Sequence, residues 1–283
     1  MRSAATTLEM IKWEHSVFAL PFALTAAVLA AGGWPAWRTV LWIVVCMVSA
    51  RSAAMAFNRL VDARLDAANP RTKMRALPAG LLRPQFVTGF VVVCCAIFVG
   101  AATMLNRLSL VLAPAALAVV LAYSLMKRVT RWSHLVLGLA LGIAPSAAWI
   151  AVRGNLDWRI VVLTGAVILW VGGFDVLYAC QDFAHDREVG LHSVPVAFGV
   201  CGAFRIARAM HVGMIGMLVW LIVLFGLGRV SMVGVGVVGA LLIYEHSIIS
   251  PTDLRRMNAA FFTLNGVISV LFFLFVAADV IWR

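Results

Sequence analysis

The sequence predicts an all-α, polytopic membrane protein. Three observations carry that prediction. Of the 283 residues, 63% are hydrophobic and only 12% are charged, against about 25% charged in an ordinary soluble domain. The mean hydropathy is +0.99. The apolar runs are also far longer than the short alternating segments of an outer-membrane barrel. The composition excludes a soluble globular enzyme, and it excludes a disordered chain, which would be poor in apolar residues.

Nine runs qualify as transmembrane spans, at about 16–33, 38–57, 86–105, 108–126, 134–151, 159–179, 206–227, 230–249 and 259–281. Each approaches the roughly 20 residues that a helix needs to cross the hydrocarbon core. Basic residues test the count, because they collect on the cytoplasmic side. An odd number of spans puts 16 of the 23 Lys and Arg on the side of the N-terminus. Six fall on the other side (Arg38, Arg107, Arg153, Arg159, Arg229 and Arg283), and Arg51 lies within a span. The N-terminus is therefore expected in the cytoplasm, in a multi-pass protein of the inner membrane. The chain reads as one domain, 1–283, with two long cytoplasmic loops at about 58–85 and 180–205. No cleavable signal peptide is evident.

The net charge of +11 is assigned to topology, anionic head groups and an anionic substrate, not to nucleic acid. Cys46, Cys94, Cys95, Cys180 and Cys201 form no CxxC pair; four of them lie in apolar runs or at their ends, where a small buried hydrophobe is the default.

Chemistry concentrates in the two loops. In Asn58-Arg-Leu-Val-Asp62-Ala-Arg-Leu-Asp66, helical spacing aligns Asn58, Asp62 and Asp66 on one face. Stacked carboxylates repel unless a cation lies between them. Mg²⁺ suits them, since it takes carboxylate oxygens and is completed by substrate phosphates; a solvated helix end is the plain alternative. Asp182-Phe-Ala-His-Asp186 repeats the spacing 120 residues later. The repeat suggests two pseudo-repeated halves whose helix ends face one cavity.

Arg51 and Asp175 lie seven residues before these motifs, with Tyr178 between Asp175 and Asp182. An ionisable group inside a span is a functional candidate, although an Arg51–Asp175 ion pair would also explain it. Arg71, Lys73, Arg75, Lys127 and Arg128 suit phosphate oxygens, and Pro78 and Gly80 predict a fixed turn. Metal-binding acids, a cationic rim and an apolar bundle together point to a lipid diphosphate.

These residues resemble the UbiA superfamily of intramembrane prenyltransferases. The resemblance runs through Arg51-Ser52, Asn58-xxx-Asp62-xxx-Asp66, Arg71-Thr72 and Arg75-xx-Pro78-x-Gly80. It continues in Tyr123-xxx-Lys127-Arg128-x-Thr130, in Asp175-xx-Tyr178-xxx-Asp182-xxx-Asp186, and in Gly190, Ser193 and Pro195. It implies nine helices around a central cavity open to the bilayer. It implies Mg²⁺-dependent transfer of a polyprenyl group from its diphosphate to an aromatic acceptor, in quinone biosynthesis. Asn58, Asp62, Asp66, Asp182 and Asp186 would hold Mg²⁺–diphosphate. Arg51, Arg71, Lys127 and Arg128 would neutralise phosphate. Asp175 and Tyr178 would orient the acceptor or take part in proton removal.

The 4-hydroxybenzoate branch is nearest, but Arg59, Lys12, His15 and Lys73-Met74 depart from its pattern. They are similar to prenyltransferases of the futalosine route to menaquinone, whose acceptor is a dihydroxynaphthoate. Haem, chlorophyllide or a sugar phosphate are alternative acceptors on the same fold. A secondary transporter is the alternative of a different class. Against it, both acidic motifs sit at helix ends, away from the bilayer midplane.

Overall fold

The computed structural model describes residues 2–11, 19–257 and 263–282. Lys12 and His15 lie outside the described residues. Every regular element described is helical. In order they are α1 (Arg2–Ile11), α2 (Leu20–Ala31), α3 (Trp37–Val61), α4 (Ala63–Ala68), α5 (Pro84–Thr103) and α6 (Arg107–Ala122). After a 3₁₀ turn at Tyr123–Arg128 come α7 (Ser133–Arg153) and α8 (Trp158–Ala179). A second 3₁₀ turn, Cys180–Asp182, leads into α9 (Phe183–Glu188), followed by α10 (Val194–Leu224), α11 (Arg229–Ile248) and α12 (Asn265–Ile281).

Each expected span coincides with one of these helices. Seven helical segments, those built on α3, α5, α6, α7, α8, α10 and α11, are long and apolar enough to cross a membrane. The other two, α2 and α12, are shorter apolar helices, and part of each expected span falls outside the described residues. The loop expected at 180–205 is corrected. It is helical through α9, and helix resumes at Val194 with a kink at Gly199 (φ 70°, ψ 166°), well before position 206. The signal there is local. Ser193 caps α10 by accepting the Val196 amide at 3.4 Å, and Pro195 occupies the first turn, where its missing N–H costs nothing.

The central helix is α8, packed between α7 and α10. Small residues make this closeness possible, as in many membrane bundles. A Cβ on Gly138 of α7 would stand 2.5 Å from the Ile168 carbonyl of α8. On its other side, α8 meets α10 at Gly173, where a Cβ would stand 2.5 Å from the His211 ring. Trp170 of α8 is fully buried and packs tilted against Phe22 of α2 and edge-on to Phe174, with ring centroids at 5.0 and 5.2 Å. Its indole Nε1–H donates to Asn265 Oδ1 of α12 at 2.8 Å. One side chain thus ties three helices together and leaves no unpaired indole N–H in the core.

The outer surface is apolar, with Val92, Val93, Val212, Val223 and Ile243 exposed, as suits lipid. Exposed Trp34, Trp37, Trp158 and Trp282 stand at the ends of α2, α3, α8 and α12 remote from the acidic motifs. This is an aromatic belt at one membrane interface.

Candidate active site

The two acidic motifs fold alike. α3 stops at Val61, and Asp62 takes φ −90°, ψ 6° before the short helix α4 carries Asp66. α8 stops at Ala179, and Asp182 takes φ −100°, ψ 6° before α9 carries Asp186. Each long helix therefore ends in a bend at its first aspartate, and one further turn presents the second. The continuous helix expected through Asn58, Asp62 and Asp66 is interrupted, yet the Asp62→Asn58 and Asp66→Asp62 backbone bonds persist at 2.9 and 2.7 Å. The three side chains therefore stay on one side.

Both motifs open into one cavity of about 1230 Å³. Its polar end holds Asn58, Asp62, Asp66, Asp182 and Asp186, with Arg71, Arg75, Lys127 and Arg128 around them. The rest is apolar, lined by Ile43, Met47, Phe98, Leu112, Leu141 and Ala144 among others.

The segment between α4 and α5 clamps the two motifs together. Arg71 donates from Nε to Asp182 Oδ1 at 2.9 Å and from Nη2 to Oδ2 at 2.5 Å. Its Nη1 reaches the Tyr178 hydroxyl at 3.3 Å. Asn69 also donates to Asp182 Oδ1, at 3.2 Å, while its own Oδ1 accepts the Arg71 amide. Arg75 turns to the other motif and binds Asp66 Oδ1 at 2.7 Å. The turn expected at Pro78 and Gly80 is present. Gly80 has φ +69°, a conformation L side chains resist. Lys73 does not line the cavity.

Arg128 binds Asp62 Oδ1 at 2.9 Å, and Asn58 donates to Asp62 Oδ2 at 3.1 Å. Burial nonetheless pushes the Asp62 carboxyl above its usual range, outweighing the bond and charge of Arg128. Burial works against the Arg71 guanidinium too, but there the Asp182 hydrogen bond and charge win and its pKa rises. The Lys127 ammonium lies in the combined field of Asp175, Asp186, Asp182 and Asp62, without an ion pair to any described residue.

The donor set fits a hard divalent cation. Asp66 Oδ2 and Asp186 Oδ2 are buried without a hydrogen-bond partner among the described residues, so each offers an oxygen to something else. No three His, Cys, Asp or Glu among the described residues converge on one ion. That arrangement suits Mg²⁺, which is usually held by one or two carboxylates and completed by substrate phosphates.

Deeper in the cavity, Arg51 lies seven residues, about 10 Å, below Asn58 along α3. Its Nε is buried without a partner among the described residues. The Arg51–Asp175 ion pair is not formed. Asp175 Oδ2 instead meets Nδ1 of His134 at 2.6 Å. The sequence reading omitted His134. The rule that singled out Arg51 and Asp175, an ionisable group within a span, would also have found it at the start of α7.

The UbiA prenyltransferase family profile matches residues 19–275. The 4-hydroxybenzoate octaprenyltransferase of Vibrio vulnificus is 32% identical over 249 residues, covering 88% of this chain and 87% of its own. An apo structure of a UbiA homologue from Aeropyrum pernix K1 superposes with a TM-score of 0.86 at 29% identity, covering 94% of this chain and 98% of its own. A UbiA homologue from Archaeoglobus fulgidus, solved with DMAPP and Mg²⁺, superposes with a TM-score of 0.73 at 17% identity, covering 97% and 99%. At that identity the likeness concerns the fold.

Proposed function

The chain belongs to the UbiA prenyltransferase family, and as a multi-pass membrane prenyltransferase we propose that it moves a polyprenyl group from its diphosphate onto a hydroxylated aromatic acid. The acceptor is 4-hydroxybenzoate or a dihydroxynaphthoate, the reaction requires Mg²⁺, and the site faces the cytoplasm across the inner membrane. The family assignment displaces the transporter reading. The observation that carries the proposal is the single cavity in which two acidic helix ends and four cations sit at one end of an apolar bundle.

Asp62 and Asp66 at one helix end, and Asp182 and Asp186 at the other, would each supply one or two oxygens to Mg²⁺, with Asn58 orienting Asp62. The ion would neutralise charge on the departing diphosphate. Arg71, Arg75, Lys127 and Arg128 contribute preorganised positive charge at the same end, where charge develops as the allylic C–O bond breaks. The apolar wall receives the tail and keeps water from the allylic cation. The aromatic ring attacks ortho to its hydroxyl. The free donor of Arg51 suits an anionic group lying deeper than the diphosphate, such as the acceptor's carboxylate. Tyr178 steadies Arg71 over Asp182.

The experiment is prenyl transfer by purified protein in nanodiscs, with a polyprenyl diphosphate, Mg²⁺ or EDTA, and 4-hydroxybenzoate and 1,4-dihydroxy-6-naphthoate in parallel. Mg²⁺-dependent product with one acceptor is expected. Product that persists undiminished in EDTA would overturn the metal assignment. No product with either acceptor would overturn the aromatic acid.

A further inference from the structure

Five aspartates line the cavity, and Asp175 differs from the rest in its partner. Asp62, Asp66 and Asp182 each face an arginine, and Asp186 has an unpartnered oxygen. Asp175 is held by an imidazole. The second contact of that ring fixes its chemistry. The Val194 amide donates to His134 Nε2 at 3.2 Å, and a backbone N–H can only donate. Nε2 therefore carries no proton. The neutral ring must carry its proton on Nδ1, and it gives that proton to Asp175 Oδ2 across 2.6 Å, a short charge-assisted bond. His134 is enclosed, its side chain 1% exposed, while that of Asp175 is 18% exposed and opens to the cavity. Oδ2 is thus tied behind, and Oδ1 is left for a ligand.

We infer that His134 is a positioning residue for prenyl transfer, fixing the Asp175 carboxylate so that Oδ1 receives the hydroxyl proton of the aromatic acceptor. The inference rests on the function proposed above. As the ring carbon bonds to the prenyl C1, the allylic C–O bond breaks and the diphosphate leaves with the electron pair. The phenolic proton passes to Asp175 Oδ1, leaving a neutral dienone. The ring C–H proton then leaves to the released diphosphate, and Asp175 returns its proton to the oxygen. His134 resembles the buried partner in a catalytic triad in holding a neighbour's orientation.

Two amide substitutions separate positioning from mere support. An asparagine amide N–H can take the place of Nδ1–H and keep the bond to Asp175. A glutamine carbonyl can take the place of Nε2 and keep the bond to Val194 alone. His134→Gln is expected to lower kcat about 100-fold, the scale of proton-transfer catalysis, with the acceptor KM little changed. His134→Asn is expected to stay within about tenfold of the parent, since its amide N–H keeps the bond to Asp175. Both variants should bind a thiolo-diphosphate analogue with Mg²⁺ as the parent does. Wild-type kcat in His134→Gln, or equal losses in the two variants, would overturn the inference. If His134→Gln does not fold, His134→Leu, which removes the donor to Asp175, and Asp175→Asn are compared singly and together. Losses that add would overturn the inference, because residues acting as one unit are not additive. Parent protein that prenylates no hydroxylated aromatic acid would overturn the proposed function itself, a result distinguishable from failure of the variants alone.

Discussion

Arginine at position 71 lets a single side chain bond three oxygens. Its planar fork bonds both oxygens of Asp182 while a further N–H reaches Tyr178. Lysine carries the same charge on one freely rotating head and cannot reproduce the fork. Arg71→Lys is therefore expected to lower kcat/KM for the prenyl diphosphate by at least about tenfold, or about 1.4 kcal/mol, in a protein that still folds; steady-state kinetics checks this. Asp62→Ala and Asp182→Ala should go further and abolish turnover, because each would remove a proposed metal oxygen and strand an arginine. Full activity in either, in folded protein, would refute the metal assignment. The acids were legible in the sequence because like charges at helical spacing require a counterion. Their pairing was not, because it depends on which cation the fold brings near. Arg71 meets Asp182 across 111 residues, and His134 meets Asp175 across 41. Neither separation leaves a mark in local spacing.

At the scale of elements, the catalytic geometry depends on how closely α7 and α8 approach. Gly138 sits one turn beyond His134, against the backbone of α8. A methyl group there meets a carbonyl, which cannot rotate away as a side chain can. Gly138→Ala is expected to cost about 1–3 kcal/mol of stability, the usual range for overpacking. It should also separate His134 from Asp175. Gly236 of α11 is the control, since a Cβ there meets nothing within 4 Å. Gly236→Ala should be neutral or stabilising by up to about 1 kcal/mol, because Ala favours helix over Gly. Thermal unfolding in one detergent, followed by transfer assays, reads both; equal stability of the two variants would sink the packing argument. The spans were legible because bilayer thickness sets a length that hydropathy reveals. The bends at Asp62 and Asp182, and the early start of α10, were not. They follow from capping and tertiary contacts over stretches too short to shift a hydropathy window.

At the scale of the whole molecule, the charge count predicts an orientation. The charge count puts 16 Lys and Arg with the N-terminus and the two motif loops, and six on the other side. Exposed Trp34, Trp37, Trp158 and Trp282 stand at the opposite end of the bundle and exposed Trp132 at the motif end, as aromatic residues do at both interfaces. Basic residues are retained on the cytoplasmic side during insertion. On the proposed orientation, a diphosphate made in the cytoplasm would meet the cationic end of the cavity, while its tail enters the apolar part. The orientation is testable in a variant lacking its five native cysteines. Asn155, exposed in the turn between α7 and α8, and Glu188, exposed at the end of α9, report the two faces. In intact cells, a membrane-impermeant thiol reagent should label Asn155→Cys and spare Glu188→Cys until the membrane is opened. The reverse pattern would put the acidic motifs outside. The charge count would then have failed as a guide to topology, and the substrate would have to be supplied from the other side of the membrane.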